Sequence, residues 1–250
     1  MTTVRTHAYV EYDAGALLCD VYPGEPGAGI VIYLHGGGFA VGDRATDASR
    51  VQSLAAHGLT VVVPDYRLVP HAVFPAQVDD VRAVIDWVRG HRADVGTDGR
   101  IGLWGASAGA VLATLTALGS DGDADIDVAA VVSWFGFSDI GAVAARSPLE
   151  ASLLPPGPEQ GFLSNATPER VRAASPINHV RADAPPHLIV HGDRDQIVAI
   201  DESRRFHEAL TRAGAQSTLV TLGGAGHEDP RFDSPTMIAI TAAFLRSHLA

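Results

Sequence analysis

Four short stretches of this chain carry side chains that can make and break bonds at an acyl centre. The first is G-A-S-A-G at 105–109, with Ser107 in the middle. A serine hydroxyl is a weak nucleophile unless a turn exposes it and a base takes its proton. Flanking glycines permit the sharp strand-to-helix turn that lifts such a serine above the end of a sheet. The N-terminus of the following helix favours negative charge at that point. The second stretch is H-G-G-G at 35–38. Three consecutive glycines let backbone N–H groups approach a substrate with no Cβ in the way. Such a loop supplies one half of an oxyanion cradle, and the N–H of Ala108, the residue after the serine, supplies the other. His35 is assigned to support of the loop, since its ring would compete for space with a reacting carbonyl.

The remaining two stretches offer an acid and a base. G-D-R-D-Q-I-V at 192–198 holds two carboxylates, Asp193 and Asp195, and G-G-A-G-H-E-D-P at 223–230 places His227 in a glycine-rich loop. A base must reach the serine, and an acid must hold its other imidazole nitrogen to fix tautomer and orientation. His57, His91, His179, His207 and His248 fall on helices or loops and read as surface residues. His191 ends a strand and reads as a loop anchor. His227 is the only histidine in a glycine-rich loop after the last strand, and it is expected to be the base. Asp193 directly follows Gly192 and suits a turn bonded to its own backbone, so Asp195 is expected to hold His227.

These residues need a frame, and the hydropathy pattern describes one. β-rich runs are expected at 6–12, 17–22, 30–34, 60–63, 100–104, 128–135, 187–191 and 217–222, with a turn at 13–15. Helical spacing is expected at 46–57, closed by Gly58, and at 75–91, where Val78, Val81, Val84, Ile85 and Val88 recur on one face. Further helices are expected from the serine turn to 118, at 200–213 and from 236 onward. Strands alternating with helices imply an α/β architecture: a mostly parallel sheet of about eight strands, covered on both faces. Each chemical residue then falls just past a strand's carboxyl end. Residues 1–250 are read as one domain. Proline-rich, weakly periodic sequence at 136–184, with one short helix at 168–174, reads as a small insertion over the site mouth. Phe39, Trp134 and Phe137 are candidates for an apolar pocket wall. Trp134 and Phe135 read equally well as strand core, because adjacent strand residues point to opposite faces.

Composition narrows the chemistry further. The formal net charge is −11, from 18 basic and 29 acidic residues, which argues against a nucleic-acid or anionic-membrane partner. Every basic side chain is arginine, so Schiff-base chemistry and a P-loop lysine are excluded. Cys19 is the single cysteine, so no intrachain disulfide or cysteine-rich metal site can form. No His/Asp/Glu cluster has metal spacing, and neither metal nor organic cofactor is expected. No apolar run reaches the length of a membrane span, and the first residues lack a secretory apolar stretch. The chain is therefore read as cytoplasmic, with a small molecule as its partner. Nothing in the sequence sets an oligomeric state.

Taken in order, H-G-G-G-F at 35–39, D-Y-R-L at 65–68 with Phe74-Pro75, G-A-S-A-G, H-G-D-R-D-Q-I-V and G-A-G-H resemble carboxylesterases of the hormone-sensitive-lipase-like group within the α/β-hydrolases. The resemblance runs from about Gly29 to the end. It implies hydrolysis of carboxylic esters, with Gly37 and Gly38 as oxyanion donors, Asp195 as the acid and D-Y-R-L as a brace for nearby loops. Two positions depart from the pattern: Ala106, where many relatives carry an acidic residue or threonine, and Ala110, where many carry glycine. A long amino-terminal helical cap is also missing, which makes the chain similar to compact, nearly capless relatives. The same three residues would serve an amidase, an arylformamidase or a lactonase, and a hydrolase fold can also act as a receptor.

Overall fold

The computed structural model describes residues 3–119, 127–144 and 158–250. Among these, eight strands form one sheet: β1 (Arg5–Tyr12), β2 (Gly15–Tyr22), β3 (Ile30–Leu34), β4 (Thr60–Pro64), β5 (Ile101–Ala106), β6 (Ala130–Trp134), β7 (His187–Gly192) and β8 (Ser217–Leu222). Their order is β1-β2-β4-β3-β5-β6-β7-β8. β2 pairs antiparallel with β1 and β4, and every pairing from β4 to β8 is parallel. The expected mostly parallel sheet is therefore present. The helices are α1 (Ala48–Ala55), α2 (Ala76–Gly90), α3 (Arg92–Val95), α4 (Ala108–Leu118), α5 (Ile140–Ala144), α6 (Pro158–Leu163), α7 (Pro168–Ala173), α8 (Asp201–Ala213) and α9 (Pro235–Leu249). Among the described residues, no helix is long and apolar enough to cross a membrane.

The central strands are buried at every position because both faces are covered. All five residues of β3 are fully buried, and they alternate between two cores. Ile30, Ile32 and Leu34 join Leu103 and Val131 under α2 and α4. Val31 and Tyr33 join Trp104 and Val132 under α1 and α9. α8 extends the α4 side, packing Phe206 and Leu210 against Leu118 and Ile189. Removing this apolar surface from water supplies roughly 25 cal/mol per Å2, and it pins the carboxyl ends of β3, β5, β7 and β8 side by side.

D-Y-R-L turns out to be a polar brace. The Asp65 carboxylate accepts from the Arg44 N–H and guanidinium at 2.9 and 2.7 Å. Tyr66 stacks on His35, with 4.4 Å between ring centroids, and donates to the His35 carbonyl at 2.9 Å. Arg67 donates to Asp80, a fully buried carboxylate that also accepts from Tyr12. These bonds tie the segment after β4 to the glycine loop after β3.

Several element boundaries differ from the hydropathy pattern. The first hairpin turns within Asp13-Ala14, and Tyr12 already pairs with Gly15. β6 ends at Trp134 because Phe135 has a left-handed backbone (φ 41°), which no strand tolerates. The 136–184 segment contains α5 and α6 as well as the expected helix at α7. Most of its P-P-G-P run falls outside the described residues.

Two glycines test how closely α4 is pressed onto the sheet. A Cβ on Gly109 would lie 2.1 Å from the Leu34 carbonyl oxygen, whereas one on Gly90 would meet nothing within 4 Å. Gly109→Ala should therefore lose about 2–3 kcal/mol, lowering Tm by roughly 5–10 °C in differential scanning calorimetry. Gly90→Ala should melt within about 2 °C of the native protein or slightly above it. Equal melting of the two variants would contradict the close helix–strand contact.

Candidate active site

Ser107 sits between β5 and α4 with φ 51° and ψ −118°, a conformation that an L-residue adopts only at a price in strain. The turn is feasible because Gly105 and Gly109, two residues to either side, lack side chains: a Cβ on Gly105 would lie 2.2 Å from the Gly109 carbonyl oxygen. The Ser107 N–H donates to the Trp134 carbonyl at 2.9 Å, fixing the turn to β6. The glycine loop lies directly against it, since a Cβ on Gly36 would be 3.3 Å from that of Ser107. Gly37 (φ 111°) must be glycine, because any Cβ there would meet the Val41 carbonyl oxygen at 2.1 Å; Gly38 is also left-handed (φ 60°). Ala108 opens α4, so its N–H has no carbonyl of the same helix to serve.

The three side chains singled out in the sequence form one hydrogen-bonded series. Asp195 Oδ2 lies 2.6 Å from His227 Nδ1, and His227 Nε2 lies 2.9 Å from Ser107 Oγ. A carboxylate accepts only, so Nδ1 carries the ring proton and Nε2 is left to accept from the serine hydroxyl. The Asp195 side chain has no solvent exposure, and that of His227 has 8%. Asp195 Oδ1 accepts from the N–H groups of Ile197 and Val198, both at 2.9 Å. Burial alone would raise this carboxyl. Donors from His191, His227 and the Val198 backbone outweigh it and hold the group well below the usual carboxylate range.

Asp193 plays a different part from the one its position suggested. Its carboxylate accepts from the Gly224 N–H at 2.5 Å, a bond to the neighbouring loop and not to its own turn. Asp195 instead makes the local turn bonds. His35 is buried, its Nδ1 lies 2.6 Å from the Gly36 carbonyl, and burial lowers its pKa below the ordinary imidazole value, so it stays neutral. It supports the glycine loop, as assigned.

The aromatic candidates divide. Phe39, left-handed at φ 63°, stacks on Phe162 at 3.9 Å and meets Phe137 edge-on at 6.2 Å, directly behind the glycine loop. Trp134 is fully buried against Trp104 and Phe232 on the opposite face of the sheet, so its core reading holds. None of the three lines the cavity of about 370 Å3 beside the glycine loop, which is bounded by Gly36, Gly37, Val41, Gly42, Thr46, Asp47 and Glu228.

Several site residues were not visible in the sequence. Phe135 packs its ring edge-on against His227 at 4.8 Å. Glu228, left-handed at φ 55°, follows His227 and faces Arg50 at 3.6 Å. Arg50 is almost wholly buried, held also by Asp233 at 2.6 Å and Tyr33 Oη at 3.0 Å. Four of the five non-glycine residues with positive φ among the described residues thus cluster here: Phe39, Ser107, Phe135 and Glu228.

An eight-stranded, mostly parallel sheet with a strained serine after β5, an acid after β7 and a histidine after β8 is the α/β-hydrolase arrangement. A family model described as BD-FAE matches residues 20–210, and the chain belongs to that family. It is 34% identical over 236 residues to Esterase LipC of Mycobacterium tuberculosis, a match covering 86% of this chain and 57% of that protein. The chain spans about half the length of the curated relatives it matches. Among solved structures it is similar to a truncated carbohydrate esterase from gut microbiota, with TM-score 0.84 and 25% identity over 99% of this chain and 96% of that one. It is also similar to an esterase of Pyrobaculum calidifontis, with TM-score 0.81 and 26% identity over 98% and 85% of the two chains. These matches agree with the family resemblance carried by the motifs.

The two acids make opposite predictions. Asp195→Asn should lower kcat/KM by about 10^3-fold or more, since the amide cannot hold the reactive tautomer. Asp193→Asn should lower it by no more than about tenfold, having disturbed one loop contact. Because the folded Asp195 carboxyl titrates below its unfolded value, its stabilisation is complete above the ordinary carboxylate range and fades as pH falls toward the folded value. The Tm gap between the native protein and Asp195→Asn should therefore narrow between about pH 6 and pH 3.5. A gap that widens on acidification would contradict the hydrogen-bonded carboxylate.

Proposed function

We propose that this chain is a carboxylic ester hydrolase acting on small esters, with Ser107 as nucleophile, His227 as general base and Asp195 as the acid that orients it. The unbroken Ser107–His227–Asp195 hydrogen-bond series carries this reading. Family membership and the esterase names of the relatives support it.

In this mechanism Ser107 Oγ attacks the ester carbonyl as its proton passes to His227 Nε2. The ring becomes an imidazolium, held by the Asp195 carboxylate through Nδ1. The N–H groups of Gly37, Gly38 and Ala108 receive the negative charge that develops on the carbonyl oxygen. Such preorganised donors contribute about 3–4 kcal/mol each in comparable sites. The alcohol then leaves with the proton from Nε2, forming an acyl-serine. Water, deprotonated by the same nitrogen, releases the acid. No step requires a metal or an organic cofactor.

The cavity beside the glycine loop supports a small substrate. Val41 is its single large aliphatic side chain, and Thr46, Asp47 and Glu228 make the remainder polar. Phe39 and Phe137, with Phe162 from the 136–184 segment, form an apolar wall behind the loop. We assign that segment to a small cover over the site. A long acyl chain would leave methylenes in water, forfeiting about 0.8 kcal/mol for each.

A panel of 4-nitrophenyl esters of increasing chain length, run beside an aryl formamide and a lactone, tests the proposal. For the native chain kcat/KM should peak at acyl groups of about two to six carbons, with the esters preferred to the other two classes and no jump in rate above the solubility limit. Ser107→Ala, folded by circular dichroism, should lose at least about 10^4-fold of that rate. Turnover retained in the variant would remove the nucleophile assignment, and an optimum at about twelve carbons would show a lipase-like site.

A further inference from the structure

His191 lies in β7, fully buried, and touches Asp195 rather than the reacting serine. Its Nε2 is 2.9 Å from the Val198 carbonyl oxygen and 3.1 Å from Asp195 Oδ2. A carbonyl oxygen can only accept, so Nε2 must carry a proton, and that N–H is shared with the carboxylate. Its Nδ1 lies 2.7 Å from Ser203 Oγ, on the buried first turn of α8. With the single ring proton on Nε2, Nδ1 accepts from the Ser203 hydroxyl.

The Val198 carbonyl thus requires the Nε2 proton, and the Ser203 hydroxyl, able to donate or accept, follows it. His191 cannot act as a second base, because each nitrogen is occupied and neither reaches Ser107. Core packing alone would be met by any ring of this size and requires no N–H aimed at the carboxylate. We propose that His191 is a positioning residue for the reaction. It shares Asp195 Oδ2 with His227 and holds that oxygen where the His227 Nδ1–H can meet it, while the Val198 carbonyl sets the His191 tautomer that makes this possible and Ser203 anchors the ring. The proposal rests on the triad reading above. It assigns catalytic weight to a β7–α8 contact outside the cavity.

The test uses the full chain and hydrolysis of 4-nitrophenyl acetate. His191→Phe keeps the ring volume and removes the N–H; kcat should fall about 10–100-fold while KM moves by less than about twofold. His191→Gln places an amide N–H near the Nε2 position and should recover kcat to within about fivefold of the native chain. In an Asp195→Asn background, His191→Phe should add less than about a twofold further loss, because it acts through that carboxylate. Native kcat in His191→Phe, equal losses in the Phe and Gln variants, or losses that multiply with Asp195→Asn would each overturn the proposal. Nitrogen-resolved imidazole NMR of the native protein decides independently of how the variants fold. Nε2-protonated, Nδ1-bare His191 is expected, and the opposite tautomer overturns the proposal. Ser107→Ala assayed in parallel separates the two readings. If it is inactive while His191→Phe is fully active, the His191 role alone fails; if it is active, the triad reading and this proposal fail together.

Discussion

A buried carboxylate must be surrounded by donors, and the ends of β7 and β8 are arranged to supply them to Asp195. Two backbone N–H groups meet Oδ1 and two imidazoles meet Oδ2. Leaving such a charge unpaired in a site closed to solvent would cost several kcal/mol, so the loop cannot drift without losing stability. The parallel register sets the geometry, with His191 opposite Thr221 and Gly192 opposite Leu222. Gly192 has no Cβ to hold the loops apart; one would lie 2.3 Å from the Ala225 carbonyl oxygen. Backbone bonds from Asp193 to Leu222 and from Arg194 to Ala225 then lace the acid loop to the histidine loop. His227 arrives beside Asp195 as a consequence of sheet pairing.

The same frame carries the strain. Left-handed backbone at Phe39, Ser107, Phe135 and Glu228 costs of order 1–3 kcal/mol at each residue. It is sustained by the two cores and by close helix–strand contacts that only glycine allows at Gly105 and Gly109. The strain is also placed to act. Ser107 is raised toward His227, Phe135 presses on the His227 ring, and Glu228 brings a carboxylate beside the glycine loop. Glu202 joins these parts from below, accepting from Ser138 and Asp139 after β6 while Ser203, its neighbour on α8, engages His191.

Legibility in the sequence followed the physics of each signal. β3 and β8 were readable to the residue because uninterrupted β-rich runs end at glycines or turns. The meeting of Ser107, Asp195 and His227 was readable because glycines mark the turns that carry them. Phe135 was not, because nothing in S-W-F-G-F reveals that the chain turns left-handed one residue past the strand. The exchange of duties between Asp193 and Asp195 was also hidden. A carboxylate's partners depend on the neighbouring loop, which lies about thirty residues away in sequence. Arg50 lies within the expected helix at 46–57, and its network with Asp233 and Tyr33 exists only once the chain has folded. α5 and α6 escaped notice because such short helices carry too few turns to show a period.

The central claim is that His227, held by Asp195, activates Ser107 and no other hydroxyl. Reaction of the folded chain with a fluorophosphonate, followed by peptide mass mapping, measures this directly. One adduct per chain should appear, on the peptide containing Ser107, and its rate of formation should fall by about 10^3-fold or more in His227→Ala. Labelling at another residue, or an undiminished rate without His227, would contradict the account.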